Sequence, residues 1–281
     1  NKINHELEVF SSELAKQPQI VVGNKCDLID EEKIKLFKEN PPQRVNITLY
    51  GTSRETYGNL CGVPEAYDRV IWAIKALKEA GINVKINYTV TPYNKNDVFS
   101  ASDFAKELEV PIQTVTYMFP PLRACEGCGA VRLSAEEAAK AVFNLQKHRL
   151  GDDFIDFLKY KQKESPKTDY FDDCEKEGQR IRCRAGSTTF WVTWDGRMLP
   201  CGMFPTDGYS MLSHSFDEAW SRVKADVAQV VMPLECNTCG KREHCGVCAA
   251  SCLAENGDTR LKPDYICEMT EWLDQLIQEK Y

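Results

Sequence analysis

Residues 44–91, RVNITLYGTSRETYGNLCGVPEAYDRVIWAIKALKEAGINVKINYTVT, decide the fold. Arg44 to Gly51 alternates apolar and polar positions and ends in glycine, as a strand running into a loop does. Glu65 to Ala80 places Tyr67, Val70, Ile71, Ile74 and Leu77 at helical spacing, and Gly81 stops the helix. Asn83 to Thr91 reads as a second strand. After the loop PYNKND, Ser102 reads as the cap of a helix through Leu108, and Pro111 to Phe119 as a third strand. Strand, helix, strand, helix, strand with short connections predicts parallel βα units on one sheet. In such sheets the loops at the carboxyl ends of the strands carry the chemistry. Here those loops are Gly51 to Tyr57, Thr91 to Asn96 and Pro120 to Gly129. Three units do not close a sheet, and the residues before Arg44 supply at most one more strand. The expectation is therefore an incomplete barrel with an exposed strand edge and a tendency to aggregate.

Composition excludes several classes. The chain has 281 residues, 43% hydrophobic and 27% charged, as soluble globular proteins do. A net charge of −7 argues against a general nucleic-acid surface. No apolar run approaches the roughly 20 residues of a membrane span. Neither nucleic acid nor membrane is expected as a partner, and the expected location is the cytoplasm. The chain opens NKINHELEVF, without an initiator Met, in what reads as mid-domain sequence. Thirteen cysteines in a chain of this character favour cofactor ligation over disulfides.

Most of those cysteines lie late in the chain. Ser134 to Leu150 reads as a capped amphipathic helix and 151–180 as a charged linker. A second module then begins with CRAGSTTFWVTWDGRMLPCG, a β-hairpin turning at Asp195-Gly196. Trp191 and Trp194 fall on opposite faces of it, one expected in the core and one partly exposed. Phe216 to Lys224 reads as a short helix and Met269 to Lys280 as a terminal one. Between them runs CNTCGKREHCGVCAASC, residues 236–252, with paired Cys-x2-Cys spacings that aim sulfurs at a shared metal. With Cys183, Cys201 and Cys267, the module holds eight cysteines: these three plus Cys236, Cys239, Cys245, Cys248 and Cys252. Eight thiolates suit two four-cysteine [4Fe–4S] clusters or two zinc sites equally, so the count leaves the metal open. Cys26 and Cys61 are isolated, and Cys125-x2-Cys128 is an incomplete pair.

The layout resembles the SPASM domain, the auxiliary-cluster extension of radical S-adenosylmethionine (SAM) enzymes that modify peptides and proteins. Cys183, twelve residues, Gly196-x4-Cys201, then Cys236-x2-Cys239-x5-Cys245 and a late Cys267 follow that family's pattern. The family places the next cysteine three residues after Cys245, whereas this chain offers Cys248 after two and Cys252 after six. The resemblance implies one [4Fe–4S] cluster on Cys236, Cys239, Cys245 and Cys267. A second would take Cys183, Cys201 and Cys248 or Cys252, or both. Upstream, ITLYGTSRETYGNLCG, GINVKINYTVTPYN and PIQTVTYMFPPLRA resemble strands four to six of the radical SAM partial barrel. The implied fold is α/β: an incomplete (βα) partial barrel at 44–150, a linker at 151–180, an α+β SPASM domain at 181–270 and a C-terminal helix at 271–281. Thr52, Ser53, Asn87, Thr89 and Asn94 match positions lining the SAM and substrate cleft. The implied activity is an oxidoreductase or maturase acting on a peptide or protein, with a flavodoxin or ferredoxin as reductant. The family's Cys-x3-Cys-x2-Cys loop, which holds the third, SAM-binding cluster, has no counterpart in these residues. Catalysis by the chain as it stands is accordingly in question, and a non-catalytic iron–sulfur or zinc module is the alternative.

The first forty residues are different in character. Gln19 to Val22 reads as a strand, and Asp30 as the cap of a helix from Glu31 to Lys38. Asn24, Lys25 and Asp27 form the Asn-Lys-x-Asp of a guanine-specificity motif, and with INHELEVFSSELAKQPQIVV the segment 1–40 resembles Obg-type GTPases. The phosphate-binding GxxxxGK[ST] loop is absent from the sequence, so GTP binding is not expected. Different origins for residues 1–40 and 44–281 are expected on this reading.

Overall fold

A computed structural model describes residues 30–120, 131–157, 183–204 and 206–279. The expected strand at Gln19 to Val22, the guanine motif and the Cys125-x2-Cys128 pair lie outside the described residues. The chain divides into two compact units, residues 1–115 and 116–281.

In the first unit, helix α1 (Glu31–Glu39) begins where Asp30 accepts a hydrogen bond from Lys33 N at 2.9 Å. Strands β1 (Val45–Thr48), β2 (Val84–Thr89) and β3 (Ile112–Val115) form a parallel sheet in the order β1-β2-β3. Helices α2 (Arg54–Cys61) and α3 (Ala66–Glu79) connect the first two strands, and α4 (Val98–Glu107) the last two. Val70, Ala73, Ile74 and Leu77 bury one stripe of α3, and Gly81 at φ 76° takes the left-handed conformation that ends its turn. Alternation divides the sheet. Val45, Ile47, Val84, Ile86 and Tyr88 are buried on one face, each aliphatic contributing roughly 1.5–3 kcal/mol by removal from water. The register aligns Asn46 with Lys85 and Thr48 with Asn87 and Gln113, giving the other face a polar lining.

Two local expectations are corrected. Ser102 does not cap its helix: α4 starts at Val98, four residues earlier, and buries Ser102 with Ala101 and Ala105. The stretch Gly51 to Tyr57 is not all loop, because Ser53 caps α2 and starts a helix at Arg54.

In the second unit, α5 (Ala135–Leu150) opens with a capping box between Ser134 and Glu137. It packs against α8 (Asp264–Gln278), and Phe143, Phe154 and Ile277 form the core between them. The structure thus groups the helix after Ser134 with the cysteine-rich module, through apolar stripes that meet over a sequence separation no local pattern reveals. A small antiparallel sheet follows the expected hairpin: β4 (Trp191–Val192), β5 (Arg197–Leu199) and β6 (Tyr209–Ser210). Its core is Met198 against Ala219 and Val223 of α6 (Phe216–Gln229), a longer helix than expected. Neither tryptophan is in the core. Trp191, on the short edge strand, is 56% exposed and Trp194, beside the turn, 91%. Helix α7 (Ala249–Asn256) starts within the cysteine run, and α8 starts five residues before the expected Met269.

Candidate functional site

At the carboxyl ends of β1 and β2, the first unit is built around Asn94 and Asp97. Asn94 is fully buried. Its Oδ1 accepts from Thr91 N at 2.7 Å and Thr91 Oγ1 at 3.2 Å. Its Nδ2 donates to the carbonyls of Tyr50 at 2.9 Å and Thr89 at 3.0 Å. One amide with two acceptor and two donor positions thereby ties the β2 loop to the end of β1, and its capacity is filled. Tyr88 completes the knot by donating its hydroxyl to the Asn94 carbonyl at 2.9 Å, and burial pushes the phenol's pKa up.

Asp97 does for the β1 loop what Asn94 does for β2. Its Oδ2 accepts from Thr52 N and from Thr56 Oγ1, both at 2.7 Å. Ser53 caps α2 by accepting from Thr56 N at 3.1 Å. Gly51 is required here, since a Cβ would lie 2.3 Å from the Thr56 side chain. Asn87 and Thr89 sit on the polar face of β2, in line with Lys85. Lys85 Nζ donates to Gln113 Oε1 across the face. On β1, Asn46 Oδ1 is buried without a hydrogen-bond partner, the kind of acceptor a ligand's N–H or O–H satisfies. The five residues expected at a SAM and substrate cleft therefore divide. Asn87 and Thr89 share the polar face, Thr52 and Ser53 stand on the β1 rim, and Asn94 is occupied in positioning. Asp97 and Asn46 were missed; Asp97 is 45 residues from Thr52, and nothing in the local sequence marks the pair.

The second unit gathers the thiols. All eight candidate cysteines are free, with no disulfide among the described residues. Cys236 and Cys239 lie in and beside a 3₁₀ turn (Leu234–Asn237), and a second such turn (Arg242–His244) leads into Cys245. Cys248 is the N-cap of α7, its Sγ accepting from Ser251 N at 3.4 Å. Cys252 is buried one turn on, against Met232 and Ala249. Cys267 lies in the first turn of α8. Cys201 Sγ accepts from Met203 N at 3.4 Å, whereas Cys183 is exposed at the start of the hairpin. Burial pushes the Cys252 thiol up to about 12, assisted by the charges of Cys236, Cys248, Cys267 and Cys245. Cys267 rises to about 11 by burial and the charges of Cys245, Cys236 and Cys239, and Cys236 rises by burial and the charges of Cys245, Cys239 and Glu235. Thiols so placed ionise together only beside a compensating cation. Among the described residues no three His, Cys, Asp or Glu side chains converge as a single metal ion requires. Six thiols, those of Cys236, Cys239, Cys245, Cys248, Cys252 and Cys267, lie close enough for their charges to couple, and backbone N–H groups point at two sulfurs of the module, Cys201 and Cys248.

Beside the thiols lies a buried polar group that sequence reasoning also missed. Arg132 forks onto Glu255 of α7, Nη2 to Oε1 at 2.6 Å and Nη1 to Oε2 at 3.4 Å. Its guanidinium lies 3.5 Å from the ring centre of Tyr265 and 5.2 Å from that of Tyr117. Tyr117 donates its hydroxyl to Glu255 Oε1 at 2.9 Å. His244 lies with Tyr117, Ile266 and Met269 around a small apolar cavity.

Comparison with known proteins gives these geometries a context. Residues 4–105 match the Radical SAM superfamily. The match begins well before Arg44, where the sequence resemblance was placed, and runs through Asn24, Lys25 and Asp27. The AdoMet-dependent heme synthase of Methanosarcina barkeri is 24% identical over 261 residues, 85% of this chain and 72% of that protein. The heme synthase of Oleidesulfovibrio alaskensis is 25% identical over 79% of this chain, which spans 61% of that relative. Among solved structures, anSMEcpe with bound AdoMet aligns with a TM-score of 0.69 and 18% identity, covering 99% of this chain and 80% of that one. Streptococcus suis SuiB bound to its precursor peptide SuiA aligns with a TM-score of 0.62 and 17% identity, over 94% of this chain and 62% of that one. The fold is of the α/β radical SAM type, as expected. No helix among the described residues is long and apolar enough to cross a membrane.

Proposed function

We propose that this chain is a radical SAM-type oxidoreductase whose second unit binds auxiliary [4Fe–4S] clusters of the SPASM kind and whose substrate is a peptide or protein. The observation that carries the reading is the gathering of six thiols, Cys236, Cys239, Cys245, Cys248, Cys252 and Cys267, on α7, α8 and the turns between β6 and α7, with Cys252 buried among them. Cys236, Cys239, Cys245 and Cys267 are assigned to one cluster, and Cys183, Cys201, Cys248 and Cys252 to the other. Bound there, the clusters supply one-electron transfer. The peptide substrate is supported by the complexes of two structural relatives, anSMEcpe with bound peptide and SuiB with its precursor peptide SuiA. A tetrapyrrole substrate is the second reading, favoured by the heme synthase relatives.

In the first unit the polar sheet face is the proposed ligand surface. Asn46, Asn87 and Thr89 present hydrogen-bonding groups there, and Lys85 supplies a cation. Asn94 and Asp97 hold the rim loops so that Thr52 and Ser53 keep a fixed position, which reduces the ordering a ligand must impose. SAM bound on this face supplies a radical precursor. No Cys-x3-Cys-x2-Cys spacing occurs in the 281 residues, so no residue here is assigned to the SAM-cleaving cluster. Asn24, Lys25 and Asp27 are given no nucleotide role, a choice supported by the radical SAM match running through them.

Cysteine substitution tests the assignment. Cys267→Ser and Cys183→Ser, reconstituted anaerobically, are each expected to lose about half of the wild-type iron, since each removes a ligand from a different cluster. Full retention of iron in both variants contradicts the ligand sets.

A further inference from the structure

The Arg132–Glu255 pair is poorly explained by stability. Its side chains are only 17% and 13% exposed, and Arg132 Nε is buried with no hydrogen-bond partner. Desolvating two charges offsets most of their attraction, and an orphaned donor adds a further penalty, so such a pair is weak evidence of stabilisation. Its location is more informative. Glu255 lies on α7, three residues beyond Cys252 and about two turns along the same helix from the Cys248 cap. Tyr265, stacked on the guanidinium, lies on α8 two residues before Cys267, and its hydroxyl donates to the Leu133 carbonyl at 2.9 Å. Tyr117 reaches Glu255 with its hydroxyl while its ring lines the cavity with His244 and Gly246, in the turn between Cys245 and Cys248. A charge on Cys248 is felt at the Tyr117 hydroxyl. The ion pair is thus held from three sides within the segment that carries Cys245, Cys248, Cys252 and Cys267.

We propose that Glu255 neutralises the Arg132 charge beside an iron–sulfur cluster of the second unit and so keeps that cluster's reduction potential from rising. This rests on the cluster reading above and assigns the pair a positioning and electrostatic role, not contact with iron. Reduction adds one electron to the cluster, so an uncompensated cation nearby favours the reduced state and raises the potential. In the native pair the two charges nearly cancel. Packing of the guanidinium against Tyr265, with Tyr117 alongside and little solvent exposure, keeps the two charges together and limits their screening by water.

Glu255→Gln is the informative substitution. The amide retains an acceptor for Tyr117 and Arg132, while the arginine keeps its charge. At an effective dielectric near 20, a unit charge on the order of 10 Å from any redox centre changes the reduced-to-oxidised ratio on the order of tenfold. That ratio corresponds to about 59 mV for a one-electron couple. The experiment is a redox titration followed by electron paramagnetic resonance on reconstituted wild type, Glu255→Gln and the double variant Arg132→Met with Glu255→Gln. The expected result is an upward shift in one cluster's potential in Glu255→Gln and a return toward wild type in the double variant, which again carries no net charge. A clamp with only a structural role moves both variants in the same direction, the double variant further. That outcome, or an unchanged potential and spectrum in Glu255→Gln, overturns the inference. A wild-type protein that takes up no iron instead sinks the cluster reading beneath it.

Discussion

Replacing Asn94 with alanine removes four hydrogen bonds from a fully buried amide. The Thr91 N–H loses its 2.7 Å acceptor at a residue only 3% exposed, and an unsatisfied buried donor costs about 1–3 kcal/mol. The carbonyls of Tyr50 and Thr89 lose donors worth about 0.5–1.5 kcal/mol each, less where water reaches Tyr50, which is 44% exposed. The expected total is roughly 3 kcal/mol. Urea unfolding of the full chain reads the loss, provided the transition of the first unit is followed separately. Native-state hydrogen exchange gives an independent reading, because the Thr91 amide is expected to lose most of its protection while Ile86 N, bonded to the Pro111 carbonyl, keeps its own under local opening. A destabilisation below about 0.5 kcal/mol, the range of ordinary surface substitutions, with Thr91 still protected, refutes the argument that Asn94 holds the rim together.

Two further outcomes follow from single sites in the second unit. Gly208 has φ 61°, and a Cβ there lies 2.4 Å from the Leu199 side chain and 2.6 Å from the Met198 carbonyl oxygen, so Gly208→Ala is expected to destabilise the small sheet by about 1–3 kcal/mol in thermal unfolding. Hydrogen bonds from Arg260 hold the Asp258 carboxyl down at about 2. A depressed carboxylate pKa contributes stability that is present above the unfolded value of 3.8 and is lost as pH falls toward 2. Arg260→Gln is expected to move the Asp258 titration, followed by NMR, back up toward the ordinary carboxylate range.

Local patterns in the sequence marked the elements well and their long-range partners poorly. Asp30 and Ser134 start helices and Gly81 follows the end of one, all through local conformation or contacts within one turn, and each acts in the structure as its neighbours imply. The parallel order of β1, β2 and β3 follows from alternation and short crossovers. Ser102 misled because a serine inside a helix carries the same letter as one at its start, and its burial depends on what α4 packs against. The helix α2 was hidden because its cap, Ser53, lacks an acidic partner three residues on and begins instead with Thr56 as the reciprocal group. Asp97, Arg132 and Glu255 were invisible for a different reason: their partners lie 41 to 138 residues away, and only the folded chain brings them together. The thiols were conspicuous in the sequence, yet the raised pKa values of Cys252 and Cys267 arise from burial and mutual proximity, which spacing alone does not fix.

The measurement that bears most directly on the central claim is the iron, zinc and acid-labile sulfide content of the wild-type chain after anaerobic reconstitution, with the visible spectrum recorded on the same sample. Eight thiolates in two four-cysteine sites are expected to hold about eight irons and eight sulfides per chain, with broad brown absorption. About two zinc ions and no sulfide contradict the account and leave the second unit a zinc-binding module.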